Sequence, residues 1–335
     1  MTQRLAQAWL KRGPLACALW PVSLVYALLA RLHLSLYTLG LLKAQQLPVP
    51  VLVVGNILVG GAGKTPVVMA LVDHLKAKGW RPGVISRGYG RAGTACLEVS
   101  QDADASQVGD EPLLIQRRCD VPVFVAKNRY DAGQALLNKY PKVNLIISDD
   151  GLQHHALQHD LSVCVFDDRV LGNGWMLPAG PLRARGGEVT WVLHSGPTCD
   201  VPVKARLGRF TAKRTLAPLV KRADGSTVPL KALKELKGQT LHALAGIARP
   251  ERFFDMLRAQ GLNLAKTTAL PDHYDFASYK GNRDMPEQLI CTEKDAVKLW
   301  QHAPQALAVP LQVELDGQFL QSVSHAVALL CRPKL

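Results

Sequence analysis

"LPVPVLVVGNILVGGAGKTPVVMALVDHLKAKG" (residues 47–79) carries three local signals in succession. Residues 47–56 are dense in Val and Leu, as a buried strand is, and the apolar residues of 66–79 recur near the 3.6-residue period of a helix. Between them lies a glycine-rich turn. Strand, turn and helix in that order predict a phosphate-binding loop. The backbone of Gly60, Gly61, Ala62 and Gly63 curls with its N–H groups inward, Lys64 supplies a cation for β- and γ-phosphates, and Thr65 offers a hydroxyl to Mg²⁺. One position departs from the usual G-x-x-x-x-G-K-[ST] spelling: Leu58 stands where the first glycine is expected. The expected ligands are therefore ATP and Mg²⁺, held by a variant of the loop.

The same logic repeats downstream. "RPGVISRGYG" reads as a strand entering a glycine-rich loop, "DEPLLIQRRC" as a helix with acidic residues at its positive end, "VPVFVAK" as a strand, and "RYDAGQALLNKY" as a helix. "VNLIISDDG" and "LSVCVFDD" are apolar runs ending in paired carboxylates. Strands alternating with helices predict an α/β fold of the P-loop NTPase kind: a mostly parallel sheet between helices, with ligands at the carboxyl ends of the strands. The expected organisation is an amino-terminal membrane-associated helix (1–45), a P-loop core (46–205), a strand-rich linker (206–238) and a second, smaller α/β domain (239–335).

Composition narrows the partners. Forty Lys and Arg against 27 Asp and Glu give a net charge of +13, which points to an anionic partner. No basic run with interleaved aromatics supports nucleic acid. The first acidic residue is Asp73, whereas Arg4, Lys11, Arg12, Arg31 and Lys43 all precede it. Between Gly13 and Ala30 lie 18 uncharged residues, "GPLACALWPVSLVYALLA". As a helix they rise about 27 Å, marginal against a hydrocarbon core of about 30 Å. Flanking cations and Trp9, Trp20, Tyr26 and Tyr37 suit a helix anchored at the headgroups of an anionic leaflet, peripheral rather than spanning. A buried core helix is the alternative. A cleaved secretory signal does not fit, since the phosphate loop needs cytosolic nucleotide.

A phosphate loop also wants a Mg²⁺ carboxylate at the end of a neighbouring strand, and Asp149-Asp150 supplies one. Asp150 is read as the metal residue and Asp149 as structural. His155 and His159 stand four apart, but no carboxylate or cysteine completes a zinc set there. The seven cysteines are scattered singly, so neither zinc nor a disulfide framework is indicated.

"SRGYGR" (86–91), "VGDEP" (108–112), "GNGWMLPAGPLR" (172–183), "AGIARPERF" (245–253), "PDHYDF" (271–276) and "TEKDAVK" (292–298) remain. In order and spelling they resemble the tetraacyldisaccharide 4′-kinase family, membrane-bound enzymes of lipid A synthesis in Gram-negative bacteria. The resemblance runs from the arm to "TEKDAVK". It implies transfer of the γ-phosphate of ATP to the 4′-hydroxyl of a tetraacylated glucosamine disaccharide 1-phosphate, giving lipid IVA. It further implies a catalytic aspartate and histidine, which by motif are Asp110 and His273, the carboxylate as base or base-orienter. Arg183 is by analogy a clamp on the transferring phosphate, and Tyr89 faces the acceptor or packs. The family commonly reads "GPLRE", whereas Ala184 follows Arg183 here; Glu111 is the candidate to compensate. The expectation is a monomer on the cytoplasmic face of the inner membrane. The competing reading is a membrane-associated P-loop ATPase or nucleotide switch acting on a protein partner.

Overall fold

The structure, a computed structural model, describes residues 8–196, 201–234, 240–276 and 287–330. Arg4, Cys199 and Cys331 lie outside the described residues. The Val- and Leu-rich run forms β1 (Val51–Gly55), buried along its whole length. Through residue 216 the chain adds β2 (Pro82–Ser86), β3 (Leu97–Glu98), β4 (Val123–Val125), β5 (Leu145–Asp149), β6 (Leu161–Phe166), β7 (Glu188–Val189), β8 (Trp191–His194), β9 (Lys204–Ala205) and β10 (Arg209–Leu216). The rest contributes β11 (Leu219–Lys221), β12 (Thr227–Pro229), β13 (Thr240–Ala245), β14 (Leu264–Ala269), β15 (Glu287–Thr292), β16 (Leu307–Val309) and β17 (Leu311–Leu315).

The first sheet has the order β17-β10-β8-β6-β1-β5-β2-β4-β3, with all neighbours parallel except the two edge pairs, β17–β10 and β3–β4. Parallel strands bury both faces, which is why β1, β2, β5 and β6 read as continuous apolar runs. On one face pack Val67, Val68, Leu71, Val72 and Leu75 of the helix Lys64–Ala77, with Leu113 and Ile115 of the helix Asp110–Cys119. Ala132 and Leu136 of the helix Arg129–Lys139 cover the other. Loops after β1, β2, β4, β5 and β6 therefore share one edge, and the motifs sit there. The second sheet, β12-β11-β16-β15-β13-β14, is covered by Phe253, Phe254 and Leu257 of the helix Pro250–Ala259.

The chain crosses between the two sheets twice. β10 pairs with β8 inside the first sheet and continues through Ala217-Pro218 into β11 of the second. β16 leaves the second sheet through Pro310 and becomes β17 of the first, with Ala217 N donating to Pro310 O at 2.9 Å. Two antiparallel chain segments thus join the sheets. The helix Gly317–Leu330 also returns to the first sheet, where Phe319 meets Trp191 and Phe210 at ring distances of 5.9 and 5.7 Å. Apolar periodicity is a local signal, and it cannot announce strands that pair across about a hundred residues.

The apolar arm forms the helix Pro14–Thr38, with Pro14 in its first turn, where a missing N–H costs nothing. Only Ala16 and Ser23 of its 25 residues are buried, and a mean hydropathy of 1.8 over an 18-residue stretch makes it long and apolar enough to cross a membrane. Val22, Leu28, Leu29 and Leu32 are each more than half exposed. The arm is docked before and within the helix: ahead of it Trp9 Nε1 donates to Pro178 O at 2.9 Å and Arg12 Nε to Asn173 O at 3.1 Å, and from the helix Tyr26 Oη donates to Arg183 O at 3.1 Å. The helix is thereby fastened to the loop that carries Arg183.

Candidate active site

Gly60 and Gly63 take φ of +91° and +77°, a region that glycine enters without steric cost, and the helix Lys64–Ala77 begins directly after them. Leu58 is fully buried where the common loop has glycine. It bridges to Leu182, while Val59 N donates to Pro181 O and Arg183 N to Ile57 O at 2.9 and 2.8 Å. The departure ties the phosphate loop to the Arg183 segment.

Lys64 Nζ lies 3.4 Å from both Asn56 Oδ1 and Asp150 Oδ1. Arg183 grips Asp150 with two hydrogen bonds of 3.0 Å and also donates to Asn56 Oδ1. Burial alone would raise the Asp150 pKa, but Lys64 and Arg183 outweigh it and pull it down to about 2. Asp149 stands in the opposite condition. It is 1% exposed, its Oδ1 has no partner among the described residues, and burial followed by the charge of Glu111 pushes it up to about 7. Among the described residues Asp150 has cations at salt-bridge distance and Asp149 has none.

Asp110 opens the helix Asp110–Cys119 and is 5% exposed. His273 Nδ1 lies 3.0 Å from Asp110 Oδ2, across 163 residues, and Lys298 Nζ is 3.0 Å from the same oxygen. Burial would raise the Asp110 pKa, yet the hydrogen bond from His273 and the charge of Lys298 hold it below the usual carboxylate range. Lys294 Nζ approaches His273 Nε2 at 3.3 Å, Glu111 Oε1 at 3.2 Å and Asp272 Oδ1 at 3.5 Å. An ammonium only donates, so Nε2 accepts and the ring proton sits on Nδ1, pointed at Asp110.

His273 adopts φ of +62°, uncommon for a residue with a side chain, and its N–H donates to Gly246 O at 3.1 Å. Gly246 N in turn donates to Asp295 Oδ2 at 3.0 Å, and Thr292 Oγ1 donates to the same oxygen at 2.6 Å. Burial raises the Asp295 pKa to about 6 despite those two bonds. "TEKDAVK" thus positions the histidine. Lys294 and Lys298, which sequence reading quoted without a role, are four apart on the helix Glu293–Leu299 and face the same way. That spacing was the available signal.

Tyr89 is 68% exposed, with its ring 5.2 Å from that of His273. Arg129 carries no signal in the sequence: it is 6% exposed, donates to Asp150 O at 2.7 Å and keeps a buried Nε without a partner among the described residues. His155 instead meets His33 and Tyr37 of the arm at ring distances of 6.0 Å. Asp110, His273, Glu111, Tyr89, Lys64, Asp150 and Arg183 therefore line one edge of the first sheet, whereas His155 supports the helix.

Comparison with known proteins matches the chain to a family. Residues 15–328 match the family described as tetraacyldisaccharide-1-P 4′-kinase. A protein named tetraacyldisaccharide 4′-kinase from Acidovorax sp. (strain JS42) is 53% identical over 331 residues, covering 98% of this chain and 96% of its own length. One of the same name from Delftia acidovorans is 48% identical over 334 residues, covering 98% and 96%. Among solved structures, LpxK from Aquifex aeolicus, described as an "apo" form in complex with ATP, is similar with a TM-score of 0.79 and 29% identity, covering 93% of this chain and 99% of that one.

The Asp110 environment generates a prediction with a definite sign. Lys298 favours the charged carboxylate, so Lys298→Met makes Asp110 easier to protonate and moves its titration upward. The acid limb of the kcat/KM profile should shift to higher pH by about one unit; an unmoved limb contradicts the assignment.

Proposed function

We propose a mechanism from one premise: the chain belongs to the tetraacyldisaccharide 4′-kinase family. It is an ATP-dependent kinase that acts on the 4′-hydroxyl of the tetraacyldisaccharide 1-phosphate in lipid A synthesis. The observation that carries our residue assignment is the 3.0 Å contact between His273 and Asp110 at the edge that holds the phosphate loop.

The backbone of Gly60, Gly61, Ala62 and Gly63 cradles the phosphates and Lys64 faces their β/γ end. The sugar 4′-oxygen forms a bond to the γ-phosphorus as the bond from that phosphorus to the β-bridging oxygen breaks, so ADP leaves. The hydroxyl proton goes to Asp110. His273 donates through Nδ1 and fixes the carboxylate, because its Nε2 is taken up by Lys294. A low-pKa base suffices, since a loose phosphoryl-transfer transition state places little demand on nucleophile deprotonation until late. Arg183, released from Asp150 when phosphate enters, stabilises the transferring group. Tyr89 offers an exposed aromatic face to the acceptor.

Mg²⁺ fits the donors present. The unpartnered, buried Asp149 Oδ1 beside Glu111 marks a deficit of positive charge, and the Thr65 hydroxyl opens the adjoining helix. Thr65, Asp149 and Glu111 would hold the ion, in place of the Asp150 expected from sequence, which is saturated by Lys64 and Arg183. Among the described residues no three His, Cys, Asp or Glu side chains form a metal cage. Mg²⁺ needs none, because it keeps waters and takes phosphate oxygens beside one or two carboxylates. When bound, it neutralises charge on the phosphates.

The lipid reaches the site along the arm. Removing an acyl chain from a bilayer costs about 0.8 kcal/mol per CH₂, so the enzyme must go to the membrane. The exposed face of Pro14–Thr38 inserts at the cytoplasmic surface of the inner membrane, with Lys11, Arg12, Arg31 and Lys43 near anionic headgroups. A monomer completes this site.

Purified protein in detergent should move labelled γ-phosphate from ATP to the lipid. Asp110→Asn should lower kcat by about 10²–10⁴ with ATP affinity retained; a matching loss of ATP affinity removes Asp110 from the base role. ATP hydrolysis indifferent to the lipid would favour a nucleotide switch. Replacing Leu28, Leu29 and Leu32 together by Glu should release the folded enzyme from membranes in fractionation, and unchanged association would place the anchor elsewhere.

A further inference from the structure

A group of arginines lies against the phosphate loop, and the mechanism above does not use it. Asp167 receives Arg169 Nε at 3.0 and 2.9 Å, and Arg249 Nη1 stands 3.6 Å from it. Asp168 is held by Arg249 and by Arg252, the latter at 3.1 Å. Both carboxylates are therefore occupied. Arg169 Nη1 also donates to Val59 O at 3.0 Å, on the loop itself.

Arg214 is the remaining member. It comes from β10, opposite Val313 of β17, and its Nη2 donates to Ala62 O. A Cβ built on Gly63 would lie 2.6 Å from its Cζ and 2.8 Å from its Nε, so the guanidinium rests against the last turn of the loop. Among the described residues no carboxylate reaches salt-bridge distance of it. Burial and the like charges of Arg252 and Arg249 lower its pKa to about 10, against the opposing pull of Asp167 and Asp168. A guanidinium taken out of water without an acidic partner is costly, and an arriving anion removes the cost. Planar guanidinium groups also suit phosphate oxygens by geometry.

We propose that Arg214 is a phosphate-binding residue of the nucleotide site, contacting the polyphosphate chain of ATP at the Ala62–Gly63 end of the loop. The inference rests on reading Gly60–Thr65 as the ATP site. Gly63 has two reasons to be glycine: its φ of +77° and the space its missing Cβ leaves for Arg214. Because β10 belongs to the joint between the sheets, the nucleotide's charge is bound by a residue of the same segment that carries the second sheet.

Nucleotide phosphate and the phosphate of the lipid share this chemistry, and the experiment separates them. ATP binding is measured calorimetrically without lipid on the full chain, for wild type, Arg214→Met and Arg214→Lys. Arg214→Met should weaken ATP about 10- to 100-fold, Arg214→Lys should recover part of it, and the lipid KM should not move. Because the mutation relieves an uncompensated charge, the melting temperature without nucleotide should stay level or rise, while the ATP-induced increase shrinks. ATP affinity equal to wild type in Arg214→Met overturns the inference alone. So does a raised lipid KM with ATP binding intact, or a fall in the nucleotide-free melting temperature with the ATP-induced increase preserved. Failure of wild type to bind ATP would overturn the site reading as well.

Discussion

The hydrogen bond from His273 to Asp110, 3.0 Å long, is the contact on which the proposed site depends, because Asp110 is carried by a helix packed on the first sheet and His273 by a loop of the second. Asp110 is fixed by the helix it opens, packed on the first sheet through Leu113 and Ile115. His273 is fixed from the other side by a relay from Thr292 through Asp295 and Gly246 to its own N–H. The joint made by β10–β11 and β16–β17 gives the second sheet two covalent attachments to the first, which fits a site that must be assembled from both.

Charge is distributed at this edge by environment rather than by residue type. Asp149 and Asp150 are neighbours in sequence, yet one is pushed up to about 7 and the other held at about 2. The difference follows from who faces them: Lys64 and Arg183 converge on Asp150, while Asp149 turns into the protein beside Glu111. Lys294 and Lys298 act comparably on the proposed catalytic pair, one facing His273 Nε2 and the other holding the Asp110 carboxyl below the usual carboxylate range.

Much of the first sheet was legible because its signals are local. Residues 47–79 announce strand, loop and helix within one stretch, and β1 and the helix Lys64–Ala77 lie where those signals put them. The Leu58 departure could be seen but not explained, since its reason is Leu182, more than a hundred residues away. The same limit hid the dual membership of β10 and the return of Gly317–Leu330 to the first sheet. Asp110 and His273 were singled out through motif resemblance; nothing in their own neighbourhoods tells a helix-opening carboxylate or a loop histidine from a catalytic one. Lys294, Lys298 and Arg214 went without roles because a lysine or arginine declares its partner only in three dimensions.

The central claim is that Asp110 and His273 act as one unit, and a double-mutant cycle on kcat/KM tests it most directly. Asp110→Asn, His273→Asn and the double variant are compared under saturating ATP with the lipid acceptor varied. If the two residues form a single base, the double variant loses about as much as Asp110→Asn alone, because either change already dismantles the unit. Losses that multiply independently would contradict the account and return His273 to an ordinary loop histidine.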